Sequence, residues 1–413
     1  MNDQEQVELP LLKSARASVV FVDNHELLNE AVAVLANATG PFALDAERAS
    51  GFKYSQRAYL IQVHRSETPI YLIDPIAISP EFSTEPFNEL AALLSQDEWV
   101  LHAASQDIPC LSELGFSPVS LFDTELGSRI AGLPRVSLGA VCEHFLSLRL
   151  AKEHSAVDWS TRPLHADWLN YAALDVDVLL ELRDKLEFEL ETLGKLDWAR
   201  QEFANTARMK AKPPKADKWR SLTGLSALKD ARKYAVAKAM WEARELLAIK
   251  LDVSPGRLIP DSAIVHVANT LPKSRPELAG DRAFVGRASR SYIDTWWTAV
   301  ENGLKSRDLP PIKVKTEGIP NHRTWPGRFT DADNRLKAVK PVLQELSESL
   351  KIPAENLITP DFVRQVCWEP PVEASANAIG DFLASLGARQ WQIDLVAEPI
   401  HLAISAVSQV VED

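Results

Sequence analysis

Asp45 and Glu47 stand one residue apart at the end of the apolar run Phe42-Ala43-Leu44. Period-2 alternation puts both carboxylates on one side of a strand, where they repel each other and resist desolvation. A hard cation such as Mg²⁺ or Mn²⁺, which prefers carboxylate oxygens, relieves both penalties; an acidic turn that simply ends the strand is the chemistry-free reading. Two other segments carry groups that could join them. Trp99-Val100-Leu101-His102 reads as a short strand leading into a helix, with Ser105 as candidate N-cap and Asp107 in the first turn. Trp168-Leu169-Asn170-Tyr171-Ala172-Ala173-Leu174-Asp175 has helical spacing and no Gly or Pro, so Tyr171 and Asp175 share one face a turn apart. Asp177 points roughly the opposite way and is expected in solvent. Taken singly, Asp107 could be an acid favoured by a helix dipole, and Tyr171 a packed ring. His102 is expected to be a wall residue, because hard cations prefer oxygen.

In this order and spacing, the three segments resemble the DEDD exonuclease superfamily in its tyrosine-containing branch, over roughly residues 15–205. The stretch Lys152-Glu153-His154-Ser155, Asp158-Trp159-Ser160 and Arg162-Pro163-Leu164 is similar to the ribonuclease D family in particular. The resemblance implies a ribonuclease H-like α/β fold. It also implies 3′→5′ exoribonuclease chemistry that releases 5′-mononucleotides, as in trimming tRNA precursors or other structured RNA. Asp45, Glu47, Asp107 and Asp175 match the acids that hold two divalent cations, Mg²⁺ or Mn²⁺. Tyr171 matches the residue that orients the attacking water or helps to deprotonate it. Two ions about 4 Å apart can activate a water and stabilise a leaving 3′ oxygen together. A DNA 3′→5′ exonuclease would use the same residues, so the motifs do not separate RNA from DNA. A catalytically silent scaffold is the third reading, and the presence of all five residues speaks against it.

The elements that must position these groups follow from the pattern. Strands are expected at 19–22, 42–46, 58–64, 70–73 and 99–102, with helices near 25–37 and 86–94 and several more from 105 to 205. Early strands in series followed by helices suggest a mixed sheet with helical cover. Ala211-Lys212-Pro213-Pro214-Lys215 reads as a linker. Strands then vanish and a repeat appears: Leu251-Asp252-Val253-Ser254-Pro255 and Leu258-Ile259-Pro260-Asp261 recur about 99 residues later as Leu350-Lys351-Ile352-Pro353 and Leu357-Ile358-Thr359-Pro360-Asp361. The first copy resembles the HRDC domain, and the second is recognisable mainly through the repeat. The expected organisation is an exonuclease domain over 1–210, a first HRDC-like helical domain over 211–305, and a linker with a second HRDC-like domain over 306–413. Most tryptophans of the helical half are expected in the core, with Trp325, before Pro326-Gly327, the best candidate for exposure.

The net charge of −12 conceals an asymmetry. Residues 1–205 hold 15 basic and 32 acidic side chains, whereas residues 206–413 hold 30 and 25. A phosphate-contacting surface is therefore expected in the helical half, densest at 206–240. No run of 18 apolar residues suggests a membrane span. The N-terminus lacks the pattern of a signal peptide. Three scattered cysteines suit a reducing compartment, so a cytoplasmic location is expected. No P-loop or GxGxxG turn supports nucleotide-driven activity. The linker also predicts that a chain cut after about residue 205 would fold and keep its activity on short oligonucleotides.

Overall fold

The computed structural model describes residues 9–151, 157–210, 217–284, 286–314, 318–373 and 375–412. The linker at 211–215 and the Lys152–Ser155 part of the resemblance lie outside the described residues. The central sheet has six strands in the order β2-β5-β4-β3-β6-β7. These are β2 (Val19–Val22), β3 (Phe42–Arg48), β4 (Ala58–Arg65), β5 (Ile70–Ile73), β6 (Glu98–Leu101) and β7 (Ser120–Asp123). The β3–β4 and β4–β5 pairs are antiparallel, and β2–β5, β3–β6 and β6–β7 are parallel. This is the mixed sheet that the sequence predicts. The pattern missed β7 and a small parallel pair, β1 (Leu11–Leu12) with β8 (Arg149–Leu150). β1 and β8 have two residues each, too few for alternation to show, and β7 offers only the apolar pair Leu121-Phe122 between Ser120 and Asp123.

Every residue of β4 is buried, and Phe42, Leu44 and Trp99 lie in the same core. Buried apolar residues such as Ala172, Ala173 and Val176 line the inner side of the Ala166–Asp177 helix, and small ones let it sit close to the sheet. Its C-terminal end anchors the start of the chain. The Asp177 carboxylate accepts from the main-chain N–H of Arg16 (3.0 Å) and Ala17 (3.2 Å) and from Arg16 Nε (2.7 Å). Asp177 is thus buried, not solvated as its helical position suggested: the N-terminal segment covers it and supplies three donors.

The helical half keeps the repeat register. Ala231–Leu251 and Thr330–Leu350 are 21-residue helices. Each ends at a residue in the left-handed region, Asp252 (φ 46°) and Lys351 (φ 54°). A four-residue helix follows in each, Pro255–Leu258 and Ala354–Leu357, and then a longer one, Asp261–Thr270 and Pro360–Trp368. The two copies sit differently against the sheet half. The first has its own core around Trp219, Met240, Trp296 and Phe284. The second shares one continuous core with the sheet domain.

Trp391 makes that shared core visible. Its ring stacks on Trp198 at 5.3 Å, and its Nε1–H donates to Glu202 at 2.9 Å. Arg389 pairs with the same carboxylate. Nearby, buried Lys195 Nζ donates to the Leu350 carbonyl (2.6 Å) and the Ile130 carbonyl (2.9 Å). Gly132, at φ 94°, lies so close to Lys351 that a Cβ there would be 2.7 Å from the Lys351 carbonyl oxygen. Trp325 is fully buried and donates to the Pro320 carbonyl at 2.9 Å, correcting the expectation of exposure. Its loop closes over it, against Trp368 at 5.5 Å. The same contacts stand against the sequence-based expectation of a separable catalytic half, because a cut after residue 205 uncovers Trp198, takes the Leu350 carbonyl from Lys195 and removes Trp391 and Arg389 from Glu202.

Trp391→Ala, which removes a buried indole and one of the two donors to Glu202, should destabilise the protein by about 3–5 kcal/mol in urea unfolding; a loss under about 1 kcal/mol would mean that the second helical group is only loosely attached.

Candidate active site

β3 brings the first two acids to its open end. Phe42 and Ala43 pair with Trp99 and Val100 of β6. Beyond that point β3 is bonded only to β4, with Asp45 opposite Gln62 and Glu47 opposite Leu60. The register then shifts between Glu47 and Arg48, a bulge that bends the strand. The side of β3 that β6 leaves open is where the chain after β6 turns towards Asp45.

That turn differs from the sequence-based expectation. Ala103 is in the left-handed region (φ 64°), Ala104–Gln106 forms a 3₁₀ turn, and Asp107 sits at the junction with the Ile108–Ser112 helix, without a capping side-chain bond. Ser105 therefore does not cap the helix as expected. The capping carboxylate is Asp123, at the end of β7. It accepts from the main-chain N–H groups of Ala103 (3.0 Å) and Ala104 (2.9 Å), and from Glu125 (3.0 Å) and Leu126 (3.1 Å) at the start of its own helix. One buried side chain thus fixes both its helix and the turn that presents Asp107. Sequence reasoning missed it; the Asp-Thr-Glu start of a helix was the available signal.

Tyr171 and Asp175 come from the Ala166–Asp177 helix, one turn apart on the same face, close enough for the Asp175 charge to act on the Tyr171 hydroxyl. The segment before this helix is stapled by Arg162. Its guanidinium binds both Asp74 oxygens (2.6 and 2.7 Å) and donates to the Tyr59 and Trp159 carbonyls (2.8 and 2.7 Å). The Asp158–Leu164 stretch of the resemblance thus ties the entry of the helix to β4.

Asp45, Glu47 and Asp175 each offer a carboxylate oxygen within 4.8 Å of the others. Asp107 stands outside this triplet but close enough for its charge to act on Glu47, and for Asp45 and Asp175 to act on it. All five residues singled out in the sequence therefore meet at one place. Burial pushes Asp45 up to about 6. Burial and then the Asp45 charge push Asp107 up to about 8. Glu47 and Asp175 are also held well above the carboxylate range, first by burial and then by neighbouring anions. Tyr171 is raised by the same causes and stays protonated. Arg48 is the cation whose charge opposes these shifts at Asp45, Glu47 and Asp107. In the sequence it reads only as the start of a polar turn. His102 is driven down to about 4 by burial, and its Nδ1 lies 2.9 Å from Thr124 Oγ1, which makes it the neutral wall residue expected.

The donor set fits hard divalent cations. It consists of carboxylate oxygens alone, the anions repel one another, and a single arginine offsets them. Beside Asp45, the fully buried amide of Gln62 has neither oxygen nor nitrogen hydrogen-bonded. A cross-strand partner lies on the same face of the sheet, so this polar group belongs to the carboxylate side.

Comparison with known proteins fits this geometry. A 3′-5′ exonuclease family model matches residues 19–191, an HRDC domain model residues 234–300, and a 3′ to 5′ exonuclease C-terminal domain model residues 318–404. Fold and matches together define a 3′–5′ exonuclease with helical modules after the catalytic sheet. The ribonuclease D of Escherichia coli (strain K12) is 27% identical over 92% of this chain and 98% of its own length. That of Sphingobium indicum is 29% identical over 89% and 92%. The chain belongs to the ribonuclease D family. Among solved structures, a protein from Bifidobacterium adolescentis is 34% identical with a TM-score of 0.86, covering 96% of this chain and 100% of that one. The crystal structure of E. coli RNase D, an exoribonuclease involved in structured RNA processing, is 25% identical with a TM-score of 0.67, covering 94% and 99%.

The raised acids make metal-free stability fall as pH rises. An Asp with an unfolded value near 3.8 and a folded value near 8 keeps its proton in the native state through that whole window, so folding becomes more costly as pH climbs. With EDTA present, Asp107→Asn should therefore raise the melting temperature more at pH 8.5 than at pH 5. An equal or opposite change would show that Asp107 is not held in an uncompensated anionic cluster.

Proposed function

We propose that the chain is a metal-dependent 3′→5′ exoribonuclease that removes 5′-mononucleotides from RNA 3′ ends, and that its substrates are structured RNAs such as tRNA precursors. The observation that carries the reading is the convergence of Asp45, Glu47 and Asp175 within 4.8 Å, with Asp107 close by, in a ribonuclease D family chain. In this reading Asp45, Glu47, Asp107 and Asp175 hold two divalent cations, Mg²⁺ or Mn²⁺. Bound there, such ions lower the pKa of an attacking water and stabilise charge on the leaving 3′ oxygen. Tyr171 is the orienting residue: its hydroxyl, kept protonated by burial and by the charges of Asp175, Glu47 and Asp45, lies near these carboxylates and can hold a water by hydrogen bond. Arg48 limits the repulsion among the acids.

The domain organisation proposed from the sequence stands beside this: catalysis within 1–210, a first helical domain over 211–305, and a second, with its linker, over 306–413. The 206–240 strip is a weaker RNA surface than its charge suggests. Arg232 donates to the Gly303 and Ser306 carbonyls, and Arg220 lies over Trp219 and donates to the Pro311 carbonyl, so both are committed to internal contacts. Arg208 and Lys210 are exposed and remain candidates for phosphate contact.

Purified protein should degrade 3′-extended tRNA in Mg²⁺ or Mn²⁺, lose activity in EDTA, and leave circular RNA intact; single-stranded DNA run in parallel tests the choice of nucleic acid. Asp45→Asn should abolish turnover with RNA binding retained, and near wild-type turnover would sink the assignment. Tyr171→Phe keeps the ring and should lower the rate by roughly 10–10⁴-fold. An unchanged rate, with chemistry rate-limiting, would restrict Tyr171 to packing.

A further inference from the structure

The loop 49–57 leaves β3 directly after Asp45, Glu47 and Arg48 and returns as β4 opposite the same residues. Within the loop, Phe52 and Lys53 donate to the Ala49 carbonyl in a tight turn with Gly51 at φ 83°, and side-chain bonds join Ser50 to Gln56, Gln56 to the Tyr54 and Ser55 carbonyls, and Arg57 to Ser55. Much of its polar main chain is satisfied from the first helical group instead. The Gly51 carbonyl accepts from Arg257 Nε (2.7 Å), the Phe52 carbonyl from the Ser254 N–H (2.9 Å), and the Ser55 N–H donates to Asp252 Oδ1 (2.8 Å). Side chains repeat the pattern. Arg257 lies 4.0 Å over the Phe52 ring, the Tyr54 hydroxyl donates to Glu245 (3.1 Å), and Asp252 Oδ2 receives Tyr59 OH (3.2 Å) and pairs with Arg57 (3.3 Å). Backbone groups that are not paired within a loop must find partners elsewhere; here the partners belong to another part of the chain.

Asp252 is suited to this position. It ends the Ala231–Leu251 helix at φ 46°, a conformation that Asp and Asn tolerate better than most residues. Burial opposes its charge, but the Ser55 N–H, Arg57 and Tyr59 outweigh it, and the carboxyl lies below its ordinary range. The loop also carries Arg57, whose charge reaches Glu113 at the end of the helix that Asp107 begins. The clamped segment thus spans from the Glu47 end of β3 towards the Asp107 helix.

We propose that the first helical group acts on the chemistry as well as on RNA: through Asp252 and Arg257 it holds loop 49–57, and so fixes the strand end that carries Asp45 and Glu47. Asp252 and Arg257 are positioning residues of the active site. The inference rests on the exonuclease reading above. It differs from a binding role for the helical group because it acts on turnover of substrates too short to reach the group's outer surface. Small misplacements of reacting groups are expensive, with about 1 Å able to cost roughly 100-fold in rate.

The test uses the full chain and a short single-stranded RNA of four or five nucleotides, beside a 3′-extended tRNA. Asp252→Gly keeps the left-handed backbone accessible and removes the carboxylate; Asp252→Asn keeps the backbone and an acceptor for the Ser55 N–H; Arg257→Ala attacks the clamp independently. Expected are a fall in kcat on the short RNA of about tenfold or more for Asp252→Gly and Arg257→Ala, partial rescue in Asp252→Asn, and an affinity for long RNA within about twofold of wild type. Melting temperatures identify any variant that fails to fold, and Asp252→Asn is the one least exposed to that fate. Unchanged kcat on the short RNA in folded Asp252→Gly and Arg257→Ala would overturn the proposal, as would a loss confined to KM on long RNA. A wild-type chain without nuclease activity would instead overturn the exonuclease reading itself.

Discussion

Four carboxylates crowded at one strand end, Asp107 buried and Asp45, Glu47 and Asp175 half-buried, are the constraint around which the catalytic half is arranged. Like charges in a poorly hydrated place separate or take up protons unless the chain holds them. Here they are held from three directions. β3 is locked to β4 on one edge and only partly to β6 on the other, which frees room for Asp107. Asp123 clamps the turn after β6, and the Ala166–Asp177 helix is tied down by Asp177 to Arg16 and by the Arg162 staple to Asp74. Each tie is a buried or half-buried charge with several donors, the kind of contact that breaks at high cost and therefore fixes geometry well.

The helical half shows one supersecondary pattern used for two attachments. In both copies the residue after the long helix adopts positive φ and meets the catalytic half. Asp252 meets the loop after β3, and Lys351 packs against Gly132 after the Thr124–Ala131 helix. The first contact is polar and leaves that copy with its own core; the second is accompanied by the Trp391–Trp198 stack and merges two cores into one. A duplicated module thus diverged in what it offers at one repeat position, a carboxylate that gathers donors or a backbone packed against glycine.

This arrangement gives the acidic catalytic half a division of labour that charge alone does not describe. Arg220 and Arg232, within the most basic stretch of the chain, serve internal carbonyls. The first helical group meanwhile reaches the segment next to Asp45 and Glu47. Binding and chemistry are linked through loop 49–57 and not assigned to separate halves.

The sequence by itself determined the chemistry-bearing set, the order of the early strands and the 99-residue repeat. Alternation fixes that Asp45 and Glu47 share a face, and helical period fixes that Tyr171 and Asp175 do, because both are properties of the local backbone. Other features were decided only by tertiary structure. Asp177 looked solvated until the N-terminal segment folded over it, and Trp325 looked exposed until its loop closed on Trp368. The role of Asp123 needed β7 beside β6, and that of Asp252 needed a loop about 200 residues away in the chain. Burial and long-range partners set these outcomes, and they depend on which distant segments arrive, which local periodicity does not encode.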